Sequence, residues 1–185
     1  MNGSLAYQEQ PREELLNGEI FMMAGASVNH NRVAGNIYHV FRNFLKGKTC
    51  EAFSDGVDVF LTENDRVMPD VMIVCNKNII KRDGIHGTPD LVVEVLSPST
   101  AKNDRGYKKD LYEKSGVKEY WIADASARSI ETYLLSDGKF VLSSFCQLAS
   151  DGMIAQEKES CIDIVSASLY SSFSIPLEEI FYNLF

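Results

Sequence analysis

PDLVVEVLSPSTAKNDRGYKKDLYEKSGVKEYWIAD, residues 89–124, reads as a buried strand, a basic helix and a second apolar strand ending in an acid. Leu91–Leu96 is aliphatic except for Glu94. Ser97-Pro98-Ser99-Thr100 supplies hydroxyls to cap a helix from about Ala101 to Ser115, and Gly116 closes it. Val117–Asp124 then returns as a strand. An ionised carboxylate is costly to bury without a partner. Glu94 is therefore expected to bind a metal, join an ion pair or take part in catalysis.

A second acid sits in a similar setting. Val67–Cys75 is strand-like, and Asp70 follows Pro69, a placement that suits the first residues of a strand. Alternation puts Asp70 on one face with Met72 and Val74, and Glu94 on one face with Val92 and Leu96. If the two strands pair, the acids meet. Oxygen ligands of this kind suit Mg²⁺, whose chemistry serves phosphate esters. The plainer alternative is that each acid only ends or caps its strand.

The helix that follows Glu94 carries Lys102, Arg105, Lys108, Lys109, Lys114 and Lys118, a local basic patch. Asp104, Lys108 and Tyr112 lie at i, i+4 and i+8 and form one ridge, with Leu111 beside it. The alternative is a solvated helix laced by Asp104–Lys108 and Lys109–Glu113 pairs.

Outward from this block, Glu13–Gly18 suggests a turn and Glu19–Ala24 a strand. Ser27 is placed to cap a helix reaching about Leu45, with Val33, Ile37, Val40, Phe41, Phe44 and Leu45 at helical spacing. His30 falls on that stripe and His39 opposite it. Glu51–Ser54 and Val57–Leu61 suggest a hairpin across Asp55-Gly56, followed by a polar loop from Thr62 to Arg66. Asn76–Thr88 reads as a polar connection. Ser129–Leu135 and Lys139–Phe145 suggest a hairpin across Asp137-Gly138. Cys161–Val165 and a helix over Leu177–Phe185 close the chain. Glu19 and Asp58 are further acids on expected strands, whereas Tyr120 and Trp121 read as core.

Residues 1–185 are expected to form a single α/β domain. No apolar run reaches the length of a membrane span, and the N-terminus lacks an apolar signal core. Cys50, Cys75, Cys146 and Cys161 show no zinc spacing, so buried free thiols in the cytoplasm are expected. A net charge of −8 excludes a general nucleic-acid coat, but not an enzyme with one local basic patch.

These residues together resemble the Uma-type family of restriction endonucleases, within the PD-(D/E)xK nuclease superfamily. The resemblance rests on LLNGEIFMMAGASVNHNRVAGNI, VMPDVMIVC, the whole of residues 89–124 and the closing IPLEEIF. It implies a restriction-endonuclease-like core, a central mixed sheet flanked by helices. It further implies that Asp70 and Glu94 bind Mg²⁺ (or Mn²⁺), with the backbone carbonyl of Val95 as a third ligand. The superfamily lysine belongs two residues after the second acid, where this chain has Leu96. The family's D-x-x-x-K-x-x-x-Y spacing on the next helix falls on Asp104, Lys108 and Tyr112, which makes Lys108 the migrated catalytic lysine and Asp104 and Tyr112 accessory. Lys109 points about 100° away. His30 matches a family histidine and is either accessory to the site or structural.

The expected function is metal-dependent endonucleolytic hydrolysis of DNA by a homodimer. The alternative is an inactive nucleic-acid-binding or assembly module that keeps the fold. A third reading uses Tyr170–Phe185 as an oligomer interface.

Overall fold

The computed structural model describes residues 12–54, 56–149 and 162–185. In chain order the first half forms β1 (Glu13–Leu16), β2 (Glu19–Met22), α1 (Val28–Leu45), β3 (Glu51–Ser54), β4 (Val59–Thr62), β5 (Asp65–Val67) and β6 (Val71–Val74). A 3₁₀ turn at Lys77–Ile79 leads into β7 (Ile80–Lys81) and β8 (Gly84–His86), and then β9 (Leu91–Val95). The second half forms α2 (Ala101–Arg105), α3 (Tyr107–Ser115), β10 (Glu119–Asp124), β11 (Ser129–Ser136), β12 (Lys139–Gln147), β13 (Ile164–Ser166), β14 (Ser174–Pro176) and α4 (Leu177–Ile180).

The central sheet runs β12-β11-β10-β9-β6-β3. Only the β9–β10 pair is parallel, because a helical crossover joins those strands; the other pairs are antiparallel. This is the mixed sheet that the sequence implied. Both of its faces are covered, which is why β6 and β9 are buried along their full lengths. On one face α1 seats Val33, Ile37 and Phe41 against Val93, Trp121 and the C-terminal segment, with the Phe41 ring edge-on to Trp121 at 5.4 Å. Burying each such side chain contributes about 1.5–3 kcal/mol. The other face carries Met72, Val92, Tyr120 and Ile122 under Leu111 and Tyr112 of α3. A second sheet, β2-β1-β5-β4-β8-β7, packs Leu16, Val59, Val67 and Ile85 into this same core.

Several expectations are corrected. Glu13–Leu16 is a strand rather than a turn; Asn17 and Gly18, both at positive φ, make the two-residue hairpin to β2. β3 and β4 do not form a hairpin. β3 joins the central sheet and β4 the second one, so the chain changes sheets between them. The expected loop over 62–66 is a tight turn into β5, and the 76–88 connection holds β7 and β8. The last helix ends at Ile180.

The helix after Glu94 is broken in two at Gly106, whose backbone (φ −113°, ψ −107°) is not helical. A Cβ there would stand 2.8 Å from the Lys102 carbonyl oxygen, so only glycine fits. The cysteines also differ from expectation. The β3–β6 register pairs Glu51 with Val74, which brings Cys50 opposite Cys75, and the two form a disulfide. Cys146 is a buried free thiol, and Cys161 lies outside the described residues. No helix among the described residues is long and apolar enough to cross a membrane.

Candidate active site

Asp70 directly precedes β6, and Glu94 is the fourth residue of β9. The strands pair antiparallel with Val71 opposite Val93 and Met72 opposite Val92. Extending that register by one step sets Asp70 opposite Glu94. Neither carboxylate is idle. Asp70 Oδ2 accepts a 2.7 Å hydrogen bond from the Val95 backbone N–H. Its Oδ1 lies 2.9 Å from His30 Nε2. His30 arrives because Ser27 caps α1, its hydroxyl accepting from the His30 backbone N–H at 3.2 Å. The apolar stripe of α1 therefore holds His30 against the acid, rather than among core side chains alone.

From the opposite wall, α3 brings Lys108 to Glu94. Its ammonium lies 2.7 Å from Glu94 Oε1, 2.9 Å from Glu14 Oε1 and 3.7 Å from Asp104 Oδ1. Tyr112, one turn on, donates its hydroxyl proton to the same Glu94 oxygen at 2.6 Å. The ridge expected from i, i+4, i+8 spacing thus forms, although Gly106 interrupts the helix inside it. The solvated-helix alternative does not hold for Lys108, which is 3 % exposed. Lys109 instead lies over the Tyr133 ring at 3.5 Å, and Glu113 pairs with Lys139 at 2.7 Å.

Sequence reasoning missed Glu14. Its Oε1 accepts from the Met68 backbone N–H at 2.8 Å as well as from Lys108. The missed signal is the period-2 run Glu14-Leu15-Leu16 ahead of Asn17-Gly18, a strand that points one acid inward. Glu19 is exposed on β2, and Asp58 lies 3.8 Å from Arg66; neither lines the cleft. Leu96 is partly buried in the apolar core beneath the site.

The electrostatics follow from burial. Burial pushes the Glu94 carboxyl well above the ordinary range; Asp104, Asp70 and Glu14 add to this and Lys108 opposes it. Asp104 is raised for the same first reason, again against Lys108. Burial works against the Lys108 ammonium, but Glu94, Glu14 and Asp104 more than reverse that and hold it protonated. Tyr112 is held in its neutral, proton-donating form, by burial first and by Glu94 next.

Arg12, Glu14, Met23–Ala26, His30, Asp70, Glu94, Ser97, Ser99, Thr100, Asp104 and Lys108 enclose a cleft of about 50 Å³. Among the described residues no group of three His, Cys, Asp or Glu side chains is set to hold a metal ion. Mg²⁺ does not need one, since one or two carboxylates, completed by water and phosphate oxygens, commonly suffice. Two features fit such a cation. The donors are all oxygens, and Asp104 Oδ1 is buried without a hydrogen bond. A cleft of this size also has room for an ion's few waters at roughly 10–15 Å³ each.

The family model described as "Putative restriction endonuclease", under the name Uma2, matches residues 4–158. Two proteins of Synechocystis sp. are similar. "Uncharacterized protein slr1290" is 32 % identical over 137 residues, 72 % of each chain. "Uncharacterized protein sll1609" is 28 % identical over 130 residues, covering 68 % of this chain and 73 % of that one. Among solved structures, a nuclease-like protein of Anabaena variabilis, titled "putative nuclease belonging to DUF820", superposes with a TM-score of 0.68. It covers 92 % of this chain and 90 % of its own at 16 % identity, which shows a shared fold.

Proposed function

The chain belongs to the Uma2 family, and from that premise we propose that it is an endonuclease hydrolysing phosphodiester bonds of DNA with Asp70, Glu94 and Lys108. The observation that carries this reading is the position of Lys108. A cation that Leu96 cannot provide reaches Glu94 from the next helix, 2.7 Å away. Asp70 and Glu94 would hold Mg²⁺ or Mn²⁺, with the Val95 carbonyl as a third ligand. When bound, such an ion acidifies its water and offsets charge on the phosphate.

The chain's own groups supply the rest. Lys108 remains protonated against three carboxylates and can donate to a non-bridging phosphate oxygen as negative charge builds there. Tyr112 holds the Glu94 carboxylate in place by its hydroxyl. His30 and the Val95 N–H fix both oxygens of Asp70, so its orientation is set before substrate arrives. A homodimer, with one active site in each copy, is part of this reading. A cytoplasmic setting also belongs to it, and there the Cys50–Cys75 disulfide counts against it.

The test is nicking of supercoiled plasmid in Mg²⁺ or Mn²⁺ by wild type beside Glu94→Ala. Equal nicking by both would refute the assignment. One observation favours the inactive-module alternative: Lys108 is already engaged by Glu14, Glu94 and Asp104. Calorimetric titration separates the two. Mg²⁺ binding that Asp70→Asn abolishes supports the enzyme, and no binding by wild type supports the inert module.

A further inference from the structure

The hairpin that supplies Glu14 also carries a partly exposed aromatic ring, Phe21. Glu14 and Phe21 are direct partners in the β1–β2 ladder. Side chains directly opposite in an antiparallel pair share a face, with Cβ atoms about 4.5–5.5 Å apart. Glu14 is buried in the cleft wall, whereas Phe21 is 39 % exposed. The ring therefore stands on the cleft side of the hairpin, next to the acid that grips Lys108. Met23–Ala26, which follow β2 without a break, line the cleft itself. Phe21 itself stands outside the cleft lining, two residues before the segment that forms it.

The surroundings disfavour a stiff duplex. Glu94 and Lys108 lie at the bottom of a narrow cleft, each 3 % exposed, walled by the hairpin, the start of α1 and α2. A strand in a duplex brings its complement with it, while an unpaired strand can turn one phosphate inward. Duplex affinity also grows with the number of phosphates met by cations. Here four of the six basic residues around α2 and α3 face partners within the protein, Arg105 at Glu131, Lys118 at Asp90, Lys109 at the Tyr133 ring and Lys108 at its three acids, which leaves Lys102 and Lys114 as a small basic footprint for a duplex. The chain as a whole carries −8. Base stacking supplies affinity without cations, at about 1–3 kcal/mol per base and with little regard for sequence.

Resting on the nuclease reading, we propose that the substrate enters as a single DNA strand, one base stacked on Phe21 while the neighbouring phosphate reaches Asp70, Glu94 and Lys108. Phe21 is then a binding residue, and the enzyme acts on unpaired DNA, including the locally melted stretches of an underwound supercoiled plasmid, rather than on relaxed intact duplex.

The test uses the full chain and one fluorescently labelled oligodeoxynucleotide, free or annealed to its complement. Anisotropy titrations at low salt in EDTA should show the free strand binding at least about tenfold more tightly than the duplex. Phe21→Ala should lower free-strand affinity roughly tenfold, Phe21→Trp should restore it, and neither should change duplex binding. The position is exposed, so unchanged melting curves will show that both variants fold. Equal or tighter duplex binding overturns the proposal, as does a Phe21→Ala variant that binds the free strand normally. A Phe21→Ala variant that changes mass in light scattering instead shows that a second copy covers the ring, and also overturns it. The two readings fail separately. Free-strand binding without any cleavage in Mn²⁺ removes the nuclease assignment and keeps the stacking site. Cleavage that prefers duplex removes the stacking site and keeps the nuclease.

Discussion

Two glutamates, Glu94 and Glu119, are buried on adjacent strands of the central sheet, and they face opposite ways. Glu119 meets three donors: the Trp121 indole N–H at 2.6 Å, the Ser168 backbone N–H at 2.8 Å and the Ser168 hydroxyl at 2.5 Å. No cation and no second acid is paired with it among the described residues. Burial raises its carboxyl and those hydrogen bonds from Ser168 and Trp121 work against the rise. It is a tie between β10 and the segment after β13. Glu94 has one tyrosine donor, a lysine it shares, and three other acids nearby. Size of cavity does not separate them, since Glu119 borders one of about 340 Å³, larger than the cleft over Glu94. What separates them is that one carboxylate is fully satisfied by neutral donors and the other sits in surplus negative charge. Surplus charge invites a cation; a satisfied carboxylate does not.

The contrast can be broken by substitution, and the largest effect is expected in activity. Glu94→Ala should lower plasmid nicking on the order of a thousandfold or more, while Glu119→Gln leaves the rate of the folded fraction unchanged. Parallel losses would erase the distinction. Next in size is Lys108→Met, which strands three buried carboxylates and should cost about 3–5 kcal/mol in urea unfolding at neutral pH. Glu119→Gln turns amide hydrogens toward Ser168 and should cost about 1–3 kcal/mol, with Mg²⁺ affinity by calorimetry unaltered.

The smallest step is a slope. The Glu94 carboxyl is raised in the fold above its ordinary value near 4.5, so the native state holds its proton where the unfolded chain has lost it. Stability is then full below about pH 4.5 and falls as pH rises from there towards the folded value, by at most about 1.4 kcal/mol per unit. Glu94→Gln mimics the protonated form and should lack that fall. Its stability relative to wild type should therefore improve from pH 4.5 to 8 in denaturant titrations without metal. A difference that stays flat with pH would place Glu94 in the same class as Glu119.

Much of this was legible in the chain. The central strands were visible because both faces of the sheet are covered, and continuous aliphatic runs leave little ambiguity. Asp70 and Glu94 stood out as single charges within them. Ser27 and Gly116 marked helix ends through local chemistry, and both ends fall where those residues stand. Glu14 was hidden because β1 is a four-residue strand whose partners, β2 and β5, are themselves short, and its inward side chain is explained by Met68 and Lys108, both far along the chain. The change of sheet between β3 and β4 was hidden for a similar reason: Asp55-Gly56 carries a hairpin signal, but distant pairing with β6 and β8 decides which sheet each strand joins. The disulfide required knowing that same register. His30 lay on a correct stripe, yet only the approach of Asp70 distinguishes it from an ordinary core position.

The Glu14–Lys108 contact joins residues 94 positions apart. Contacts so distant close only after the entropy of a long loop has been met, and so form late. Glu14 belongs to one sheet, Glu94 to the other, and Lys108 is the clasp between them. A chain still emerging during synthesis can fold its first helix and hairpin and yet hold no assembled cluster. The cluster is thereby completed only when both sheets and α3 have come together, and a half-made molecule lacks it.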